Sequence, residues 1–193
     1  MIYEGKQKIW SDYQKDIPDD HYFYVRSCIR QSFFPASEQT FLDITRNRLH
    51  KDFFESEHHT TCGGIAYHSD AIPQETAMTI IARQFALMHK YGYENYVCSC
   101  ITSFGLYTET LETWREFPEL EARIKEKLWE SCKLEFAKPK YLAHASDIIY
   151  KFRNQIAQQA KFKLINKKTG EPLRVVEHIG CHYAKMFPSK GFG

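Results

Sequence analysis

Tyr96-Val97-Cys98-Ser99-Cys100-Ile101-Thr102-Ser103-Phe104-Gly105 decides how this chain is read. An apolar, β-branched run enters the stretch, and a turn of thiols and hydroxyls leaves it. That is the pattern of a buried strand ending at a chemically equipped turn. Cys100 lies nearer the turn and is the site candidate, whereas Cys98 belongs to the strand. Two further cysteines stand at matching places. Cys28 follows the aromatic run Tyr22-Phe23-Tyr24-Val25-Arg26, and Cys181 follows Leu173-Arg174-Val175-Val176-Glu177-His178-Ile179. Cys62 opens a Gly63-Gly64 turn, where glycine permits tight backbone geometry.

Helices alternate with these strands. Pro73 precedes an amphipathic run from Gln74 to Lys90 with Ala77, Ile81, Phe85 and Met88 on one face, and Gly92 ends it. Phe41, Leu42, Thr45 and Leu49 share a face of an earlier helix, for which Ser37 is the expected N-cap. Phe53-Phe54 reads as a short strand. Leu106 to Trp114 is helical. From Pro118, a helix places Leu120, Ile124, Leu128 and Cys132 in one row, which assigns Cys132 to the core. Lys140-Tyr141-Leu142-Ala143 is a strand ending at His144. Ser146 is the expected cap of a helix carrying Ile149, Phe152, Ile156 and Ala160. Asn166 to Gly170 is a turn. Strand–helix alternation predicts an α/β fold with a mostly parallel sheet and flanking helices. Ligands of such sheets sit beyond the carboxyl ends of the strands. Cys28, Cys98 and Cys100, His144 and Cys181 all fall at that edge, and Cys62 stands at its own Gly-Gly turn.

The totals narrow the function. The chain has 193 residues, 43% hydrophobic and 26% charged, with a net charge of +2. No basic excess points to nucleic acid, and no apolar run is long enough to span a bilayer. Residues 1–20 are polar with scattered aromatics and lack the apolar run of a secretory leader. Trp10 and Tyr13 mark them as an extension. Six cysteines without such a leader set the expectation of a reducing, cytoplasmic compartment, where clustered thiols serve as metal ligands or redox groups. His58, His59, His144 and His182 stand beside candidate cysteines or at the same sheet edge and are candidate supplementary ligands. No serine-hydrolase elbow, phosphate loop or dinucleotide fingerprint is present.

The chain resembles a known family on its most specific pieces: Tyr22–Cys28, Thr61–Gly64, Cys100-Ile101-Thr102-Ser103-Phe104-Gly105 and His178-Ile179-Gly180-Cys181-His182. These are similar to the cysteine-rich CCG domain in the B subunit of heterodisulfide reductase, above all in the heterodisulfide reductase-like complexes of sulfur oxidisers. The resemblance implies two tandem repeats, each holding a noncubane 4Fe–4S cluster on one cysteine, then a Cys-Cys pair, then Cys-x-x-Cys. Cys28, Cys62 and Cys100 correspond to ligands of the first repeat. Gly63 stands in place of the second member of the Cys-Cys pair, and Ser103 in place of the last cysteine. Cys181 corresponds to the first ligand of the second repeat, with His182 beside it. The implied domains are an extension at 1–20, a first CCG-type unit with a depleted cysteine set at 21–171, and the start of a second repeat at 172–193.

The implied function is thiol/disulfide oxidoreduction and electron transfer in sulfur metabolism. The implied partners are the iron–sulfur (C) and flavin (A) subunits of such a complex, with a thiol, disulfide or sulfur-carrier substrate. Two readings from other classes stay open. One is a structural zinc module on Cys28, Cys62 and Cys100 with a histidine. The other is a metal-free structural or docking scaffold.

Overall fold

Tyr22–Val25 forms β1, the central strand that the aromatic run predicts. The computed structural model describes residues 17–160, 165–166 and 168–172. After β1 come α1 (Cys28–Phe33) and α2 (Pro35–Leu42), which runs on as a π-helical segment, Asp43–Arg48. Strand β2 is Phe53–Phe54 and leads to α3 (Gly64–His68) and α4 (Gln74–Lys90). Strand β3 (Asn95–Cys98) feeds α5 (Ile101–Glu116) and α6 (Pro118–Cys132). Strand β4 (Tyr141–His144) is followed by α7 (Ala145–Lys151) and α8 (Arg153–Gln159).

The four strands form one sheet in the order β2-β1-β3-β4, every pair parallel. Tyr22 pairs with Asn95 and Val25 with Cys98, so β1 and β3 end level. The order reverses between β1 and β3. Their carboxyl ends therefore open the crevice in which an open α/β sheet binds its ligands.

Helices cover both faces of the sheet, which explains why β1 is buried at all four residues. On one face Tyr22, Tyr24, Phe53, Val97 and Ala143 pack with Phe41 and Leu42 of α2 and Ile148 of α7. On the other, Phe23, Val25, Tyr96 and Cys98 pack with α4, α5 and α6. Phe85 of α4 is the hub of this second layer. Its ring meets Tyr96 at 5.1 Å and Tyr107 at 5.6 Å, both edge-on.

The fold corrects four local expectations. Ser37 does not cap α2, because Pro35 takes the first helical position and Ser37 lies in the first turn, donating to the Phe34 carbonyl. His144, not Ser146, caps α7: its Nδ1 accepts the Ser146 amide, while Asp147 accepts the His144 amide. The final helix breaks at Phe152 into α7 and α8. Cys132 is exposed, although Ile124 and Leu128 of its row are fully buried. It is the last helical residue, next to Lys133 in the left-handed conformation, and the row has left the core by then. The helix α1 and the first turn of α5 were not expected.

Replacing Phe85 with alanine deletes the ring on which Tyr96, Tyr107 and Trp114 all lean. Such a change is expected to cost about 3–5 kcal/mol of stability, read as a lower urea midpoint. By contrast, Cys132→Ala is expected to leave that midpoint unchanged within about 0.5 kcal/mol.

Candidate functional site

The site lies where β1 and β3 end, and a four-residue motif is repeated there. Val25-Arg26-Ser27-Cys28 closes β1 and Val97-Cys98-Ser99-Cys100 closes β3. Each cysteine leaves its strand through a serine. Ser27 caps α1, its hydroxyl accepting the Arg30 amide at 3.1 Å. Cys28 is the first residue of α1 and is exposed. Cys100 is the N-cap residue of α5 and is half-buried.

A buried polar network joins the two loops. The Ser27 amide donates to the Ser99 hydroxyl at 2.8 Å. Ser99 in turn donates to Glu38 Oε1 at 2.7 Å. The Tyr24 hydroxyl donates to the other oxygen of Glu38. Arg30 lies 3.8 Å from the same carboxylate and donates to the Ser99 carbonyl at 3.1 Å. The Glu38 side chain is completely buried. Burial and the bond to Glu38 push the Tyr24 phenol far above its usual range. These residues were not read as functional from the sequence. The signal that would have found them is the repeated Val-x-Ser-Cys.

Cys62 comes in from the β2 side. It is buried, and two donors point at its sulfur: the Ser103 hydroxyl at 3.1 Å and the Gly64 amide at 3.3 Å. Burial raises its thiol pKa, against the pull of those two hydrogen bonds. Cys100 and Cys28 lie near enough for their charges to raise it further. Thr61, next to Cys62, has its hydroxyl 3.9 Å from the Cys28 sulfur. Cys28, Cys62 and Cys100 thus gather at one end of the sheet. Cys98 packs into the core, fully buried, with its thiol pushed well up. His59 is turned to the Ser56 carbonyl at 2.9 Å, and the ring nitrogen of His58 lies 3.8 Å from Glu57. Cys181 and His182 lie outside the described residues.

Cys28, Cys62 and Cys100, with Gly63 and Ser103 between and after them, do not fit a cluster held by five thiolates. Gly63 has φ +74°, and a Cβ there would stand 3.2 Å from Ile80 Cδ1. A cysteine would be strained in its backbone and crowded by a core side chain. Ser103 offers a neutral oxygen, a poor ligand for a soft metal, and spends it on Cys62. Among the described residues, no group of three His, Cys, Asp or Glu side chains is placed to hold a metal ion. The zinc reading gains no support from this arrangement. What the geometry does show is a hydrogen-bonded sheet edge with one exposed thiol, Cys28, beside it.

Two outcomes follow from the buried groups. Glu38→Ala strands the Ser99 and Tyr24 hydroxyls and is expected to cost about 2–4 kcal/mol in denaturant unfolding. The second is a pH effect. Cys62, Cys98, Tyr96 and Tyr107 all have acid groups raised by burial. A raised acid contributes its full stability below its unfolded value and loses it as pH climbs. Stability is therefore expected to hold up to about pH 8.5 and then fall, steepening above about pH 10 as the unfolded thiols and phenols ionise. Urea midpoints measured from about pH 7 to pH 11 check this.

No family model matches the chain. Among curated proteins it is similar to the B subunit of the ferredoxin:CoB-CoM heterodisulfide reductase of Methanosarcina acetivorans, 25% identical over 179 residues. The similarity covers 89% of this chain and 55% of that protein, so the chain spans about half the length of the curated relative it matches. The relative is one subunit of its reductase, in agreement with the family resemblance carried by the cysteine turns.

Proposed function

We propose that this chain forms the first repeat, and the beginning of the second, of the B subunit in a heterodisulfide reductase-like complex. In this reading it works in a cytoplasmic complex that handles thiols, disulfides or a sulfur carrier, as in sulfur oxidisers. Its neighbours are the iron–sulfur (C) and flavin (A) subunits of that complex. The first repeat is a scaffold that positions a catalytic second repeat and docks a partner. The catalytic cluster, a 4Fe–4S group, belongs to the second repeat, with Cys181 as a ligand and His182 beside it. The observation that carries this reading is the similarity over 89% of the chain, joined to glycine and serine at the two positions, 63 and 103, where the resemblance implies cysteines.

Helices α7 and α8 return over the face that carries α2, and Gln159 at the end of α8 donates to the Arg48 carbonyl. A right-handed crossover on that face leads toward β2, not beyond β4. Yet the outer edge of β2 is covered. Arg46 Nε donates to the Phe53 carbonyl at 2.7 Å, and Arg46 also pairs with Glu55. No described helix is long and apolar enough to cross a membrane.

The test uses the protein at its natural length, purified without oxygen. Cys181→Ala is expected to lower the iron content and alter the EPR signal of the cluster. Cys28→Ala and Cys62→Ala are expected to leave both unchanged. Loss of iron from the first-repeat variants, with none from Cys181→Ala, overturns the assignment.

A further inference from the structure

The buried face of α5 carries an unusual row. Ser103, Tyr107, Thr110 and Trp114 recur at intervals of four, three and four residues, so they line one side of the helix. An apolar row is the norm for a side turned to the core. Here every member has a polar atom, and Tyr107, Thr110 and Trp114 are completely buried. Ser103 spends its hydroxyl on Cys62. Among the described residues the Tyr107 hydroxyl, the Thr110 hydroxyl and the Trp114 indole nitrogen have no well-formed protein hydrogen bond. Neither does the hydroxyl of Tyr96, whose ring meets Tyr107 edge-on at 5.3 Å. The two phenols are close enough to shift each other's ionisation, and a bond between them would still leave one O–H donor over.

Thr110 is the telling residue. Thr40, Thr45, Thr79, Thr108 and Thr113 each donate to the carbonyl four residues back. Thr108 and Thr113 do so in the same helix as Thr110. Thr110 is buried and has the same option, yet makes no such bond. A hydroxyl that gives up this local bond in a dry core loses a hydrogen bond and gains nothing. Each buried polar atom left unpaired is a substantial penalty against the marginal stability of a domain. Several of them in one layer call for a common remedy. Small polar cavities in proteins hold ordered water, which needs two to four polar partners. Thr110 and Trp114 lie one turn apart on the same face. Helical side chains lean toward the N-terminus, so side chains four residues apart on one face are neighbours.

We propose that α5 holds an internal water site, with Thr110 and Trp114 as its ligands and the Tyr96 and Tyr107 hydroxyls extending it toward β3. The site is independent of any metal and of the redox assignment. Its water satisfies the polar row and keeps the layer between α4, α5 and β3 from collapsing onto unpaired groups.

The experiment counts long-lived internal waters by oxygen-17 magnetic relaxation dispersion on the full chain. It pairs the count with urea unfolding of Thr110→Val and Thr110→Ser. Wild type is expected to hold at least one such water, Thr110→Ser to retain it and Thr110→Val to lose it. Thr110→Val keeps the shape and removes only the hydroxyl. If water is bound there, the folding equilibrium constant falls about tenfold. If the hydroxyl is bare, the same change is neutral or stabilising, because a desolvated polar group has been removed. Absence of any long-lived water in wild type, or a Thr110→Val protein as stable as wild type with an unchanged water count, overturns the proposal.

Discussion

The carboxylate of Glu38 is the tie on which the working end of this fold depends. Strands β1 and β3 are neighbours in the sheet, yet Ser27 and Ser99 at their ends are 72 residues apart in the chain. Parallel neighbours cannot be joined by a hairpin. Something other than the chain must hold their outgoing loops in register. Here the Ser27 amide is bound to the Ser99 hydroxyl, and Ser99 to Glu38. Tyr24 and Arg30 complete the set from β1 and α1. The network lies at the point where strand order reverses, which is where a ligand crevice opens. A buried carboxylate is costly unless every oxygen is satisfied, and both oxygens of Glu38 are. The same bonds that relieve that cost fix where Cys28 and Cys100 leave the sheet.

Much of this fold was legible in the sequence, because local pattern decides it. Helix α4 spans Gln74–Lys90, bounded by Pro73 and Gly92 as its capping residues foretell. Strand β1 is a run of aromatic and β-branched residues that suits burial on both faces. The parallel sheet follows from the alternation of strands and helices. Boundaries were less readable where tertiary contacts override the local signal. Ser146 looks like a cap, but His144 reaches the position first because β4 ends there. Cys132 continues a helical row on paper, but the row outlasts the surface that covers it.

The candidate site was half legible. Its thiols stand out by residue type and by their place after apolar runs. Its support does not. Glu38 reads as an ordinary exposed acid in an amphipathic helix, since its partner Ser99 lies 61 residues away. No periodicity reports a contact of that range. The repeated Val-x-Ser-Cys is the one local trace of it, since each serine serves the same network.

Ser103 has a structural part at the sheet edge. A thiolate at this place would be a metal donor facing Cys62. The hydroxyl that stands there lies 3.1 Å from that sulfur and donates to it. With the Gly64 amide as a second donor, the Cys62 sulfur is directed inward and occupied. Burial raises its pKa against the pull of those two hydrogen bonds. Gly63 is confined as well, because Ile80 and Ile72 lie where any side chain there would extend. The three features reinforce one another. Changing one of them would leave the other two in place. The sheet edge keeps its shape with its own hydrogen bonds.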